Sequence, residues 1–189
     1  MKKIVFFDFF GVIGSEIAPI WFRKYLEDED ADKIKSEIVS LGDVGKISEW
    51  EMYEMISKRL NVKPEQIAQE WQDLVSINDE LASVILKIKE KYPVYLLSNA
   101  IEPFLVGILE KYQLFSLFDK IYISSKMGIA KPSGEFFRYV LNDIQADPCD
   151  VVMIDDNPSN LAGAASCGID GILFSENDSF KREFDSYFG

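Results

Sequence analysis

The stretch MKKIVFFDFFGVIGSE, residues 1–16, contains the clearest indication of the fold. Residues 3–7, KIVFF, form a short and largely apolar run, which is typical of a strand buried on both faces of a parallel sheet. The run ends at Asp8, and Gly11 and Gly14 then indicate a turn. A carboxylate directly after a buried strand is costly to bury without a partner, so Asp8 is the first candidate functional residue.

Strand-like and helical patterns alternate after residue 80. The predicted strands are Pro93–Ser98, Lys120–Ser124, the DVVMID run that ends at Asp155, and GILF at 171–174. The predicted helices are LASVILKIKEK, PFLVGILEKY, GEFFRYVLNDI and SNLAGAASCG. This alternation predicts an α/β fold, a doubly wound, Rossmann-like parallel sheet with helices on both faces, made of residues 1–14 and 81–189.

The segment between residues 15 and 80 has a different pattern, with many charged residues and no strand candidate. Its clearest helix is SEWEMYEMISKRL, residues 48–60, which carries its large apolar residues on one side and begins at Ser48, a predicted N-cap. We therefore predict a small α-helical domain, residues 15–80, inserted into the α/β core.

The charge balance argues against some partners. The chain has 20 Lys and Arg residues against 32 Asp and Glu, so its net charge is −12, which disfavours binding to nucleic acid and to anionic membranes. No segment approaches the roughly 20 apolar residues of a membrane span, and Asp8 interrupts the first apolar run too early for a signal peptide. We expect a cytoplasmic protein, a monomer or weak homodimer, that binds a small molecule.

The sequence contains no histidine. This absence excludes Ser-His-Asp and Cys-His catalytic groups and histidine metal ligands. Acid–base or nucleophilic chemistry is left to carboxylates, lysine, tyrosine, serine or cysteine.

Polar residues stand where the predicted strands end. They are Asp8, Ser98-Asn99, Asp155-Asp156 and Lys131, which lies in the loop after the Lys120–Ser124 strand. In open α/β sheets, ligands bind beyond the carboxyl ends of the strands, so these side chains are expected to converge. Because Asp8 and Asp155 would repel each other, a divalent cation that prefers oxygen ligands, such as Mg²⁺, would stabilise the pair. Each residue alone also has a structural interpretation, as a turn residue, an N-cap or a solvated lysine.

Four segments, FDFFGV, LLSNA, GIAKP and MIDDNPSN, resemble the four motifs of the haloacid dehalogenase (HAD) superfamily. The resemblance covers residues 1–14 and 81–189, and residues 15–80 stand where that family inserts its small cap domain. The stretch from Lys126 to Phe174 is similar to a subfamily that contains sugar-phosphate phosphatases, including glucose-1-phosphate phosphatases, and haloacid dehalogenases.

The resemblance implies a role for each residue at the strand ends. Asp8 would be the nucleophile that forms an aspartyl-phosphate, Ser98 would donate a hydrogen bond to the phosphoryl group, and Lys131 would neutralise negative charge. Mg²⁺ would be held by Asp8, the backbone carbonyl of Phe10, Asp155 and, directly or indirectly, Asp156. Ser98, Asn99, Lys131 and Arg23 are the predicted substrate-binding residues, and a small phosphorylated metabolite of the sugar-phosphate type is the expected substrate.

Phe10 departs from the family pattern. Phosphatases of this family usually have D-x-D, and the second Asp protonates the leaving group, which Phe10 cannot do. Three interpretations stay open. The protein is a phosphatase that works without this acid, a 2-haloacid dehalogenase whose halide leaves unprotonated, or a non-catalytic protein that binds Mg²⁺, phosphate or a partner.

The inserted segment is expected to close over the site and select the substrate. Its candidates for inward-facing residues are Trp21, Arg23, Lys24 and Trp50. The hinges are predicted near Gly14-Ser15 and Asn78-Asp79.

Overall fold

The computed structural model describes residues 3–188. Its sheet contains five parallel strands in the order β3-β2-β1-β4-β5. The strands are β1 (Ile4–Phe7), β2 (Val94–Ser98), β3 (Lys120–Ile123), β4 (Val151–Asp155) and β5 (Asp170–Leu173). This topology confirms the predicted α/β class, and the central position of β1 places Asp8 in the middle of the carboxyl edge.

Helices fill the connections. Between β1 and β2 lie α1 (Ala18–Phe22), α2 (Asp28–Ile34), a π-helical turn (Lys35–Val39), α3 (Ser40–Asp43), α4 (Glu49–Leu60), α5 (Pro64–Asp73) and α6 (Asp79–Lys89). The later helices are α7 (Glu102–Lys111), α8 (Ser124–Met127), α9 (Gly134–Ile144), α10 (Pro158–Ala165) and α11 (Asn177–Phe188). Among residues 3–188, no helix has both the length and the hydropathy to span a membrane.

Both faces of the sheet are buried, as the apolar strand sequences predict. Side chains alternate along β1, so Val5 and Phe7 join the hydrophobic cluster on one face, while Phe6 joins the cluster on the other. Helix α9 presents Phe136 and Phe137 to the second cluster. The central strands are thereby fixed on both sides, which gives the residues at their carboxyl ends a rigid support.

Helices α1–α5 are called the inserted helices below. The segment that contains them leaves the core and returns to it at neighbouring positions. The Ser15 amide donates to the Ser76 carbonyl (3.0 Å), and the Asn78 amide donates to the Ile13 carbonyl (2.9 Å). The two connecting segments therefore run side by side at the positions where hinges were predicted. Ser48 is the N-cap of helix α4, as expected from the sequence, and Glu51 completes a capping box with it.

The inserted helices pack directly on the core. Apolar residues of α1, α2, α4 and α5 belong to the same buried cluster as Val5, Phe7 and Leu96 of the sheet. The Trp71 ring of α5 meets Phe104 of α7 edge-on, with centroids 6.1 Å apart. The helices therefore cover the edge of the sheet at which the strands end.

Candidate active site

Asp8 lies at the bottom of a cleft between the sheet and the inserted helices. Its carboxylate accepts a hydrogen bond from the Phe9 amide (2.7 Å) and lies 2.9 Å from Nζ of Lys131. The side chain is only 10% exposed. Burial raises the pKa of Asp8 to about 8, while the Lys131 ammonium acts in the opposite direction and the Asp155 carboxylate adds to the increase.

Lys131 connects two of the strand ends. Its ammonium group is fully buried and contacts both Asp8 and Asp155, the latter at 2.6 Å. The Asn99 side chain fixes the loop, since its Nδ2 donates to the Lys131 carbonyl (2.7 Å) and its Oδ1 accepts from the Lys131 amide (2.9 Å). Asn99, predicted to bind substrate, thus holds Lys131 in place as well as lining the cleft.

Asp155 is held more firmly than the sequence indicated. Its carboxylate accepts hydrogen bonds from the Asn157 amide (2.9 Å) and from Nδ2 of Asn160 (3.0 and 3.1 Å). Sequence reasoning gave Asn160 no role, although it lies within the MIDDNPSN segment. Asn160 lies five residues after Asp155, in the first turn of α10, and from there its side-chain amide reaches the end of β4.

Three carboxylates form a group that fits a divalent cation. One oxygen from each of Asp8, Asp155 and Asp156 lies within 4.8 Å of the other two. Burial and the nearby Glu16 and Asp155 carboxylates raise the pKa of Asp156 to about 6. When all three carboxylates are ionised, the Lys131 ammonium offsets only one of their negative charges, so one divalent cation with oxygen ligands would complete the balance. Mg²⁺ has this preference.

Ser98 ends β2 with its hydroxyl unsatisfied. The residue is fully buried, and its Oγ has no hydrogen-bond partner among the described residues. Buried hydroxyl groups normally have partners, so this atom could donate a hydrogen bond to, or accept one from, a ligand that reaches the strand end. Ser98 itself does not line the cavity, although its neighbour Asn99 does. The prediction that Ser98 contacts substrate is consistent with its position but stays a prediction.

The cleft has a cavity of about 230 Å³ above Asp8. Its lining includes the charged groups of Asp8, Lys131 and Asp156. The lining also includes apolar side chains, three of them aromatic, and among these residues are Phe10, Val39, Met52, Trp71, Ile101 and Phe104. Phe10 stacks against Phe104 with ring centroids 6.2 Å apart, so it replaces the expected acid with part of an aromatic wall.

The residues that the inserted segment contributes to the cavity differ from those predicted from the sequence. Arg23 is exposed and bonds Asp28 (2.8 Å), Lys24 pairs with Glu70 (3.7 Å), and neither lines the cavity. Trp21 is in the core of the inserted helices, and Trp50 is on the outer surface. The ionisable side chains that reach the cavity from this part of the chain are instead Glu16, Lys35 and Asp43.

Helix α10 packs closely against the loop that contains Lys131, and this packing supports the position of the loop. A Cβ added at Gly163 would lie 2.1 Å from the backbone oxygen of Pro132. We expect Gly163→Ala to lower the free energy of unfolding by roughly 1–3 kcal/mol, because the loop must move away. Urea denaturation measures the change.

Gly107→Ala is the matched control, because Gly107 is also helical and no other group lies within 4 Å of its added Cβ. Its expected effect is a stabilisation of roughly 0.5–1 kcal/mol. Equal effects of the two substitutions would show that the contact between α10 and the loop is unimportant.

Comparison with known proteins identifies the class. The sequence profile of the haloacid dehalogenase-like hydrolases matches residues 2–168. The chain therefore belongs to this family of hydrolases, in agreement with the parallel sheet and the carboxylates at its strand ends.

Relatives with assigned activities fall into two groups by size. A drimenol cyclase from Aspergillus calidoustus is 31% identical over 82% of the chain, which spans only 31% of that protein's length. A sesquiterpene phosphatase from Aspergillus oryzae is 24% identical over 76% of each chain. A D-ribitol-5-phosphate phosphatase from Bacteroides thetaiotaomicron is 28% identical over 97% of each chain.

A solved structure of similar fold comes from the same bacterium. The HAD family enzyme bt-2542 of Bacteroides thetaiotaomicron, in complex with magnesium and inorganic phosphate, superimposes with a TM-score of 0.77 at 25% identity. The match covers 94% of this chain and 97% of that one.

Proposed function

We propose that the protein is a Mg²⁺-dependent phosphomonoesterase that acts on a small phosphorylated metabolite through an aspartyl-phosphate at Asp8. The observation that carries the proposal is the position of Asp8, which contacts Lys131 at 2.9 Å and shares a three-carboxylate group with Asp155 and Asp156. Phosphatase relatives and the magnesium and phosphate bound to a structural neighbour support it.

Each side chain at the strand ends has a role in the proposed reaction. An oxygen of Asp8 attacks phosphorus, the ester bond breaks, and the electron pair leaves with the alcohol oxygen. Lys131 and the free hydroxyl of Ser98 stabilise the negative charge of the phosphoryl oxygens. Asp8, Asp155, Asp156 and the Phe10 carbonyl would hold Mg²⁺, which supplies further positive charge. Asn99 and Asn160 keep Lys131 and Asp155 in position for this arrangement.

The inserted helices are proposed to be a cap, residues 15–80, that selects the substrate. Sugar phosphates are one candidate class, supported by the D-ribitol-5-phosphate phosphatase relative. Phosphate esters of apolar alcohols are a second, because the wall formed by Phe10, Trp71 and Phe104 is aromatic and a sesquiterpene phosphatase is also a relative. An apolar group against this wall would gain about 25 cal/mol for each Å² removed from water.

The two remaining interpretations have less support. A 2-haloacid dehalogenase requires no metal, so it gives no reason for Asp156 to join Asp8 and Asp155 in one group. A non-catalytic protein would keep the site and release no product.

Phosphate release from p-nitrophenyl phosphate, a sugar-phosphate panel and isoprenyl phosphates tests the proposal, with Mg²⁺ and with EDTA. We expect release that requires Mg²⁺. Turnover of 2-haloacids in EDTA, without phosphate release, would support the dehalogenase instead, and no turnover of either class would leave the non-catalytic interpretation.

A further inference from the structure

Cleavage of a phosphate ester leaves an alkoxide, which needs a proton unless the alcohol is strongly acidic. Phe10 cannot provide it. Apart from Asp8, Lys131 and Asp156, the ionisable side chains that line the cavity within the described residues are Glu16, Lys35 and Asp43. Two of these, Glu16 and Asp43, are carboxylic acids.

The backbone around Asp43 is fixed against the core. Asp43 ends α3, and its carbonyl accepts a hydrogen bond from Oγ of Ser124, just beyond β3. Two residues later, Gly45 packs so closely that a Cβ would lie 2.3 Å from the Ser125 carbonyl oxygen. These contacts fix the backbone at the end of α3 against the core, and the Asp43 side chain lines the same cavity as Asp8.

The surroundings of Asp43 favour its protonated form. Burial is the main cause that raises its pKa to about 7, and the Glu16 carboxylate adds to the increase. The ammonium groups of Lys35 and Lys131 act in the opposite direction. A general acid is most effective when its pKa lies near the working pH, so Asp43 is suited to proton transfer near neutrality.

We propose that Asp43 is the general acid and base of this site and takes the role that Phe10 cannot fill. The inference rests on the proposed phosphatase function. As Asp8 attacks phosphorus and the ester P–O bond breaks, the Asp43 carboxyl proton moves to the departing oxygen, which leaves as the alcohol. Asp43, now a carboxylate, accepts a proton from the water that attacks the aspartyl-phosphate. Phosphate and the Asp8 carboxylate are released, and Asp43 is again protonated.

The test compares Asp43→Asn with wild type on two esters of similar size. p-Nitrophenyl phosphate has a good leaving group, whereas 2-phenylethyl phosphate has a poor one that needs a proton. We expect kcat/KM for 2-phenylethyl phosphate to fall roughly 10²–10⁴-fold in the variant, and kcat/KM for p-nitrophenyl phosphate to fall less than about 10-fold. The variant should also show a burst of p-nitrophenol followed by slow turnover, because the second step lacks its base.

The pH profile is an independent readout. In the wild type at saturating Mg²⁺, whose charge would keep Asp8 ionised, kcat/KM for 2-phenylethyl phosphate should decrease as the pH rises through about 7, because Asp43 must be protonated in the first step. This decrease should be absent in Asp43→Asn. Glu16→Gln removes the other carboxylic acid of the cavity. At pH 5.5, where Asp43 is protonated with or without the Glu16 charge, this variant is expected to change kcat/KM for both substrates by the same factor.

Two results would overturn the inference while leaving the proposed function intact. They are an equal loss on both substrates in Asp43→Asn, and a selective loss on 2-phenylethyl phosphate in Glu16→Gln instead. Failure of the wild type to hydrolyse either ester would overturn the proposed function and, with it, this inference.

Discussion

Asp8→Asn is expected to reduce phosphate release from p-nitrophenyl phosphate by about 10⁴-fold or more, because the variant has no oxygen nucleophile that can form an acyl-phosphate. The fold should persist. Lys131 keeps its 2.6 Å contact with Asp155, and removing a carboxylate whose burial is unfavourable should leave the apo protein no less stable. The change in melting temperature on adding Mg²⁺ should be smaller than in wild type, since one ligand is lost.

Asp150→Asn is the control for this substitution. Asp150 is also an aspartate of the α/β core, but it pairs with Lys3 at the protein surface (3.0 Å). Phosphate release by the Asp150→Asn variant should match that of the wild type. Activity of Asp8→Asn within 10-fold of the wild-type rate would contradict the assignment of Asp8 as nucleophile.

Lys131→Met is expected to produce the largest loss of stability. Both Asp8 and Asp155 are buried, and Lys131 is the cation that contacts them. Removing one partner of a buried ion pair typically costs about 3–5 kcal/mol, because the remaining charge stays buried without compensation. Urea denaturation in EDTA should show this decrease, and added Mg²⁺ should restore part of it by supplying positive charge to the same carboxylates.

The control, Lys126→Met, removes an ion pair of similar length. Lys126 lies 2.8 Å from Glu102, but its side chain is 58% exposed. Surface pairs of this kind contribute about 0–1 kcal/mol. A Lys131→Met variant as stable as Lys126→Met would contradict the expectation that the buried contacts of Lys131 with Asp8 and Asp155 stabilise the fold.

The sequence predicted the sheet and its functional edge because two strong signals agree there. Short apolar runs mark strands buried on both faces, and a polar residue after each run falls at the carboxyl edge whatever the order of the strands. Asp8, Asn99, Lys131 and Asp155 could therefore be expected to meet, and the structure brings them together.

The inward face of the inserted helices could not be predicted in the same way. Aromatic and charged residues occur on several sides of these helices, and periodicity does not show which side faces the core. Trp21 was a candidate for the cavity, yet it is in the core of the inserted helices, whereas Trp71 lines the cavity. Asp43 follows a π-helical turn, which shifts the helical register in a way that the apolar pattern does not reveal.

Asn160 was missed for a different reason. Its amide, in the first turn of α10, donates to Asp155 at the end of β4, and an Asn in that helix is equally compatible with a solvent-facing position. Only the direction of α10 relative to β4 determines whether Asn160 faces Asp155 or the solvent.

The most direct test of the account is to find the phosphoryl group on the protein. The enzyme is mixed with p-nitrophenyl phosphate and Mg²⁺, quenched in acid within the first turnover, digested, and analysed by mass spectrometry. The account predicts a phosphorylated Asp8, which is absent in EDTA and in Asp8→Asn. Rapid p-nitrophenol release with Asp8 unmodified, or with the phosphoryl group on another residue, would contradict it.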